Sequence, residues 1–444
     1  MAVDPALPPG PRTPGALQTT RYVLDPYGLF ESGQRAFGDV FTLRVLGESW
    51  VVLSRPDAVR EVFSHGPDEL DSGVANFNLR PLLGTRNLLL LDGAEHLRRR
   101  KLVLPPFHGE RMRAYEGKIR EVTRREVAAW PLGSPVPTLP RTQAITFRVV
   151  LQAVFGVEEG PRLERLAAML RRFLTWTTDR RRGLVFAFMG AERLMGMRGF
   201  RRQSDELDRE LFAEIGDRRR AADLAEREDI LSLLLQARDE GGEGMSDREL
   251  RDELVTLLVA GHETTAAALS WALIELAGDS EAQARLADRE DGLAEAAVTE
   301  TLRLHPPVPL GGIRRLRRPM TIGGWSLPAG ASVTPCALLV HRRPDVYPEP
   351  DVWRVDRFLG SRPPGGAWIP FGGGVRRCIG AAFAQFEARI VLDELLRELE
   401  LRPAGRPSRW IGRRGIVLVP ARGGPVVPVR RRASAARPAQ AAAA

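Results

Sequence analysis

Cys378 is the residue whose surroundings could do chemistry. It lies in Phe371-Gly372-Gly373-Gly374-Val375-Arg376-Arg377-Cys378-Ile379-Gly380, where three successive glycines let a backbone turn tightly and approach a flat partner. The stretch that follows, Ala381 to Glu400, has the amphipathic pattern of a helix. Cys378 therefore stands at a helix N-terminus, where unsatisfied N–H groups and the positive dipole end favour a thiolate. Arg376 and Arg377 push the same way. A thiolate so placed could be a nucleophile, a redox thiol, one ligand of a metal cluster or the axial ligand of a haem iron.

The only other cysteine, Cys336, is 42 residues upstream in an apolar, strand-like run, so neither a close dithiol nor a multi-cysteine cluster is on offer. A lone thiolate suits haem best. The ten residues also resemble the haem-binding loop of cytochromes P450, with Phe371, Gly374, Arg376, Cys378 and Gly380 in its defining places. That resemblance implies that Phe371, Gly372, Arg376, Cys378 and Gly380 bind haem b, with Cys378 as the iron ligand.

Three more stretches must then position the reaction. Ser246-Asp-Arg-Glu249 is a capping box opening a helix that can run to Ala277, roughly 45 Å long. Its apolar course is interrupted by Gly261, His262, Glu263, Thr264 and Thr265. Mid-helix glycine costs about 1 kcal/mol, threonine hydroxyls can take a backbone carbonyl, and a buried Glu costs more. Ala260 to Thr265 resembles the P450 oxygen-binding motif, which implies a groove opened by Ala260 and Gly261 and an acid–alcohol pair, Glu263 and Thr264, that delivers protons. In Gly93 to Lys101, His96 and Arg100 lie one turn apart on one helical face and suit an anion; the resemblance makes them haem propionate ligands, with Arg314 as a further one. Arg98, Arg99 and Lys101 point elsewhere and are expected to form a basic surface. Glu300 and Arg303, at i, i+3 on the helix Leu293 to Leu304, match the family's Glu-x-x-Arg, and Arg357 is the expected third member of this folding lock.

Composition narrows the class. The net charge is +9, but all except two of the 65 basic residues are arginine, spread along the chain opposite 56 acids. This is a coding bias rather than a nucleic-acid surface, and no nucleic-acid partner is expected. Residues 1–20 are proline-rich without the pattern of a signal peptide or anchor, and no apolar stretch is a membrane span. With two reduced cysteines, this implies a cytoplasmic protein of the soluble bacterial type.

Along the chain, Val40 to Val45 and Ser49 to Leu53 predict a hairpin, residues 70 to 92 a long loop, 115 to 240 helices, Gly323 to Gly330 a strand-turn-strand, and Ile416 to Val419 with Pro425 to Val429 a terminal hairpin. The aromatic stretch Phe173, Trp176, Phe186, Phe188 and Met189 is, by the resemblance, the roof of a substrate pocket. The expected fold is mainly α with small β-sheets, a triangular helical prism around a buried haem. Its divisions are a flexible segment 1–20, one P450 domain 21–429 and a disordered tail 430–444. The implied function is a haem-thiolate monooxygenase acting on a hydrophobic small molecule, with electrons from a ferredoxin or flavodoxin and its NAD(P)H reductase. Pocket-lining candidates are Phe77, Phe186, Ala260, Leu310 and Val417. A haem sensor or carrier without turnover would need neither Glu263 nor Thr264.

Overall fold

The computed structural model describes residues 6–156, 160–178, 193, 196–405 and 411–431. Helices dominate, and the helices that frame the site are α1 (Gly15–Leu24), α2 (Pro56–Ser64), α3 (Gly93–Val103), α4 (Thr138–Phe155), α5 (Asp247–Ala277), α6 (Leu293–Leu304) and α7 (Ala381–Glu398).

The capping box is formed: Ser246 N donates to the Glu249 carboxylate at 2.8 Å and Glu249 N to Ser246 Oγ at 3.4 Å. From there α5 runs 31 residues through the core, burying Leu250, Leu254, Leu258, Leu269 and Leu273 against α4, α6 and α7. It is long and apolar enough to cross a membrane, but most of it is enclosed by protein. Midway, hydroxyls crowd the helical carbonyls. Thr264 Oγ1 donates to Ala260 O (2.8 Å) and Thr265 Oγ1 to Gly261 O (3.1 Å), while Thr146 and Thr142 of α4 donate to His262 O (3.0 Å) and Ala266 O (2.9 Å). Each hydroxyl competes for a carbonyl of the helical ladder, in a stretch where Gly261 already disfavours helix.

Twelve short strands form four sheets: β1 (Val40–Val45), β2 (Glu48–Leu53), β3 (Leu70–Asp71), β4 (Val136–Pro137), β5 (Arg314–Leu316), β6 (Met320–Ile322), β7 (Trp325–Leu327), β8 (Ser332–Pro335), β9 (Leu399–Pro403), β10 (Ile411–Arg414), β11 (Val417–Pro420) and β12 (Pro425–Arg430), among the described residues. The largest has the order β1-β2-β8-β5-β3, with β2 and β8 parallel. In the β1–β2 hairpin Val40 faces Leu53, and the turn residues Leu46 and Gly47 both have positive φ (54° and 82°), which matches strand twist.

Three expectations change here. The terminal hairpin does not form as expected. β11 pairs with β10, whereas β12 pairs with β9 and β4. Arg422, Gly423 and Gly424 all adopt positive φ (54°, 73° and 61°) and turn the chain out of one sheet into another. The helix expected to reach Glu400 stops at Glu398, because Leu399 already belongs to β9. In the segment 1–20, residues from Ala6 onward are not a free arm. Thr42 N donates to Pro9 O (2.9 Å), Gln18 Nε2 to Thr13 O (2.8 Å), and α1 starts at Gly15 with Gln18 and Thr19 buried. Of the tail 430–444, Arg430 ends β12 and Arg431 N donates to Glu398 O (3.0 Å); the remainder lies outside the described residues.

Candidate functional site

The cysteine loop closes on itself, with Cys378 N donating to Phe371 O at 3.0 Å and Arg377 N to Gly374 O at 3.1 Å. Its glycines serve packing as well as conformation. A Cβ on Gly373 would collide with the Phe63 ring of α2, one on Gly374 would lie 2.5 Å from Phe63 O, and one on Gly372 would lie 2.8 Å from Gly311 O. Gly372 and Gly374 also have positive φ (64° and 61°). On the protein side the loop thus packs closely on α2 at Phe63 and on the chain at Gly311. Gly380 is the N-cap of α7, and Phe371 packs edge-on against Trp368, ring centroids 5.8 Å apart.

Cys378 is exposed, whereas Cys336 is fully buried. The free thiol does not behave as expected from its helix start. The dense protein around the side chain raises its pKa, and this outweighs the lowering by Gly380 N–H, Arg100 and Arg377. A bound cation reverses that balance, since a coordinating thiol loses its proton outright.

Beside the cysteine, α3 presents His96 and Arg100 as the spacing predicts. Burial, with Arg376 and Arg100 close by, pushes the His96 pKa down to about 3, so the ring is neutral; its Nδ1 is buried without a hydrogen-bond partner among the described residues. Arg100 is half-buried, with its pKa lowered by burial and partly restored by Cys378. Arg314, on β5, is buried, which with Arg376 nearby pushes its pKa down to about 10; its Nη1 reaches only its neighbour's carbonyl, Ile313 O, at 3.1 Å. Neither Arg100 nor Arg314 has a carboxylate partner among the described residues, so this cluster favours an added anion.

Arg376 also has partners within the protein. Its guanidinium donates to Asp92 and to Leu91 O, and to Leu88 O at 3.3 Å. Asp92 itself accepts from Ser72 N (2.7 Å), Gly73 N (2.9 Å) and Val74 N (3.2 Å). This aspartate, which the sequence reading passed over, staples the loop 70–92 to the cysteine loop. Its only signal in the sequence is its place just before the first turn of α3. Arg99 departs from expectation. Instead of lying on the surface it is fully buried and paired with Glu249 and Glu253 of α5. Arg98 and Lys101 do face outward, but they pair with Asp239 and Glu240.

On α5, Ala260 is exposed and Gly261 and Thr264 are partly so, in a helix otherwise buried for several turns on either side. Burial by itself would raise the Glu263 carboxyl, but His262, Arg414 and Gln143 hold its pKa below the usual value. Gln143 of α4 and Arg414 of β10 are residues that no local pattern announced.

Glu300 is the centre of a buried ion cluster. Arg303 donates to both of its oxygens (2.7 and 2.8 Å), Arg357 Nε to one (3.0 Å) and Arg354 N to the same one (3.1 Å). The pocket candidates diverge. Leu310 is half-buried, Phe77 is exposed beneath the Arg80 guanidinium, and Val417 is buried against α5 beside Ala266 and Ala267. Phe173 packs on Phe200 in the core; Phe186, Phe188, Met189 and the side chain of Trp176 lie outside the described residues.

The family model described as Cytochrome P450 matches residues 5–290 and 292–424. The Mycobacterium bovis chain carrying the name cytochrome P450 135B1 is 39% identical over 431 residues, covering 94% of this chain and 90% of its own. Cytochrome P450 135A1 of Mycobacterium tuberculosis is 37% identical, covering 91% and 90%. Among solved structures, a retinoic acid-bound cyanobacterial CYP120A1 superposes with a TM-score of 0.83 at 25% identity, over 96% of this chain and all of that one. The haem domain of cytochrome P450DA superposes with a TM-score of 0.79 at 24% identity, over 96% and 98%.

Proposed function

The chain belongs to the cytochrome P450 family, and from that premise we propose that it hydroxylates a hydrophobic small molecule with O₂, taking electrons from a separate ferredoxin or flavodoxin and its NAD(P)H reductase. The family is that of haem-thiolate monooxygenases, with iron protoporphyrin IX as cofactor. The observation that carries the reading is the exposed Cys378 beside the buried His96 Nδ1, without a hydrogen-bond partner among the described residues, and Arg100 and Arg314, without a carboxylate partner among them. These residues fit haem: one thiol for the iron and three donors for its two carboxylates. When bound, the haem supplies O₂ activation, and the thiolate's electron density favours O–O cleavage.

The chain's own residues supply the rest. Cys378 gives up its proton on ligation, eased by Gly380 N–H, Arg100 and Arg377. His96, Arg100 and Arg314 orient the carboxylates. Thr264 offers a hydroxyl on the part-exposed stretch of α5 at Ala260, Gly261 and Thr264, and Glu263, one residue earlier, is the acid that would supply it with protons. Leu310 and Ile313, both half-buried on the segment leading to β5, support an apolar substrate, as does the retinoic acid held by the cyanobacterial neighbour. For the electron donor, Arg377 is exposed next to the cysteine. An acidic donor reaching for Arg98 and Lys101 would compete with the acidic turn Asp239 to Glu243, which already holds both.

The test is optical. Cys378→Ala should lose the red-shifted absorption of the ferrous carbon monoxide complex, while Cys336→Ala keeps it. An intact band in the Cys378 variant refutes the haem-thiolate assignment.

A further inference from the structure

We infer that His341 is a positioning residue for Cys378: its ring, held in one neutral tautomer, fixes the point from which the cysteine loop starts. This rests on the reading above, in which Cys378 is the iron ligand.

His341 caps the short helix Ala337–Val340 and is fully buried. Both ring nitrogens are engaged. Nδ1 lies 3.0 Å from Arg303 O, near the end of α6, and Nε2 lies 2.7 Å from Ile369 N. A carbonyl only accepts and a backbone N–H only donates, so the proton sits on Nδ1 and Nε2 offers its lone pair. Burial pushes the pKa down to about 3, and the ring is neutral. The contact with Arg303 is reciprocal, because Arg303 Nη1 donates to His341 O at 2.8 Å. The histidine therefore stands on the arginine of the buried Glu300 cluster and reaches from there to the cysteine loop.

Ile369 is where it arrives. Two neighbouring ties hold the preceding residues: Tyr347 Oη donates to Ala367 O at 2.9 Å and Trp368 Nε1 to Thr299 O at 3.1 Å. Neither touches the Ile369 N–H. Pro370 comes next; it has no N–H and confines Ile369 to extended backbone. Ile369 N is thus the last backbone donor before Phe371, with few directions open to it. Beyond it the loop is tied back, Gly372 N donating to Ile369 O at 3.0 Å and Cys378 N to Phe371 O at 3.0 Å.

Without Nε2 the Ile369 N–H is buried and unpaired, which costs more than the bond itself contributes. The chain must turn at Ile369 to find another acceptor, and the backbone that carries Phe371 O turns with it. A ligating side chain has to be held within about 0.5 Å of its productive place, so that turn is felt at the sulfur.

Two amides separate the ring's bonds. Asparagine carries its amide nitrogen at the δ position, so His341→Asn keeps a donor for Arg303 O and loses the acceptor for Ile369 N; glutamine carries its amide oxygen at the ε position, so His341→Gln keeps that acceptor. The parent and both variants, as haem-loaded full chain, are reduced under carbon monoxide. At rising urea below the unfolding transition, the share keeping the red-shifted thiolate band is read against far-ultraviolet dichroism. His341→Gln should follow the parent. In His341→Asn the ratio of red-shifted to unshifted form should be about tenfold lower at each urea concentration, the worth of one buried hydrogen bond, with the dichroism unchanged. As a second measurement, nitrogen NMR of the parent with labelled histidine, its His341 signal assigned by its loss in His341→Gln, should show the proton on Nδ1. Equal bands in His341→Asn and the parent, bands that fall in both variants only together with the dichroism, or a proton on Nε2 overturn the role of His341. A parent without the red-shifted band refutes the iron-ligand reading instead.

Discussion

Replacing Glu300 by Gln is the sharpest test of how this fold is held together. The substitution keeps the volume and removes one charge from a cluster in which Glu300 and Arg303 are both 0% exposed. Four donors, Arg303 Nε and Nη2, Arg357 Nε and Arg354 N, lose a charged acceptor. Breaking a buried pair costs about 3–5 kcal/mol, because the surviving charge is left uncompensated. Arg303 keeps three carbonyls, His341 O at 2.8 Å, Pro350 O at 2.6 Å and Val352 O at 3.3 Å, which places the cost near the low end, about 3 kcal/mol. That is a large part of the roughly 5–15 kcal/mol by which a domain is stable, so the yield of haem-loaded protein should fall sharply. Arg357→Ala is the internal control. Glu300 would keep Arg303 on both oxygens, and the loss of one hydrogen bond to a charged group should cost about 1.5–3 kcal/mol. Urea unfolding followed by far-ultraviolet dichroism and by haem absorption measures both variants, with coincident transitions required before a free energy is taken. A Glu300→Gln protein within about 1 kcal/mol of the parent refutes the lock. A stable, haem-replete but inactive variant would move Glu300 into the chemistry.

Three other outcomes are expected. Gly373→Ala should lose stability by about 1–3 kcal/mol through overpacking against Phe63, and Phe63→Ala should rescue it. The same partner should not rescue Gly374→Ala, because that Cβ meets the backbone oxygen of Phe63 at a residue with φ of 61°; denaturant midpoints of the single and double variants decide. Thr264→Ala should bind haem and substrate and consume NAD(P)H, but release much of the reduced oxygen as hydrogen peroxide; product, peroxide and cofactor measured in one reaction check it, and full coupling refutes the hydroxyl's role. Reduction by an acidic ferredoxin should slow as salt rises and Arg377→Glu should flatten that slope, whereas neutralising Asp239 and Glu240 should quicken reduction at low salt; stopped-flow rates without salt dependence exclude electrostatic docking.

What this sequence determined by itself is what lies within a turn or two of helix or a single loop. The Cys378 loop, the Ser246–Glu249 box, the His96–Arg100 face and the Glu300–Arg303 pair depend on spacings of two to nine residues, and backbone geometry fixes such neighbours whatever surrounds them. Side-chain direction across elements was not legible in the same way. Arg99 reads like Arg98 in the sequence, yet one faces two glutamates of α5 in the core and the other faces the turn at Asp239. Arg376 stands in the haem-loop pattern, yet nothing in that pattern announces its contact with Asp92, almost three hundred residues earlier. Glu263 was recognisable as an acid in an apolar helix, but its cage comes from α4 and from a hairpin more than a hundred residues away on either side. The strand after Gly424 likewise pairs with β9 rather than its sequence neighbour β11 because three successive positive φ values redirect it. A buried charge takes whichever opposite charge the packing of elements carries to it, and which faces of distant helices and strands meet is settled only when the chain folds.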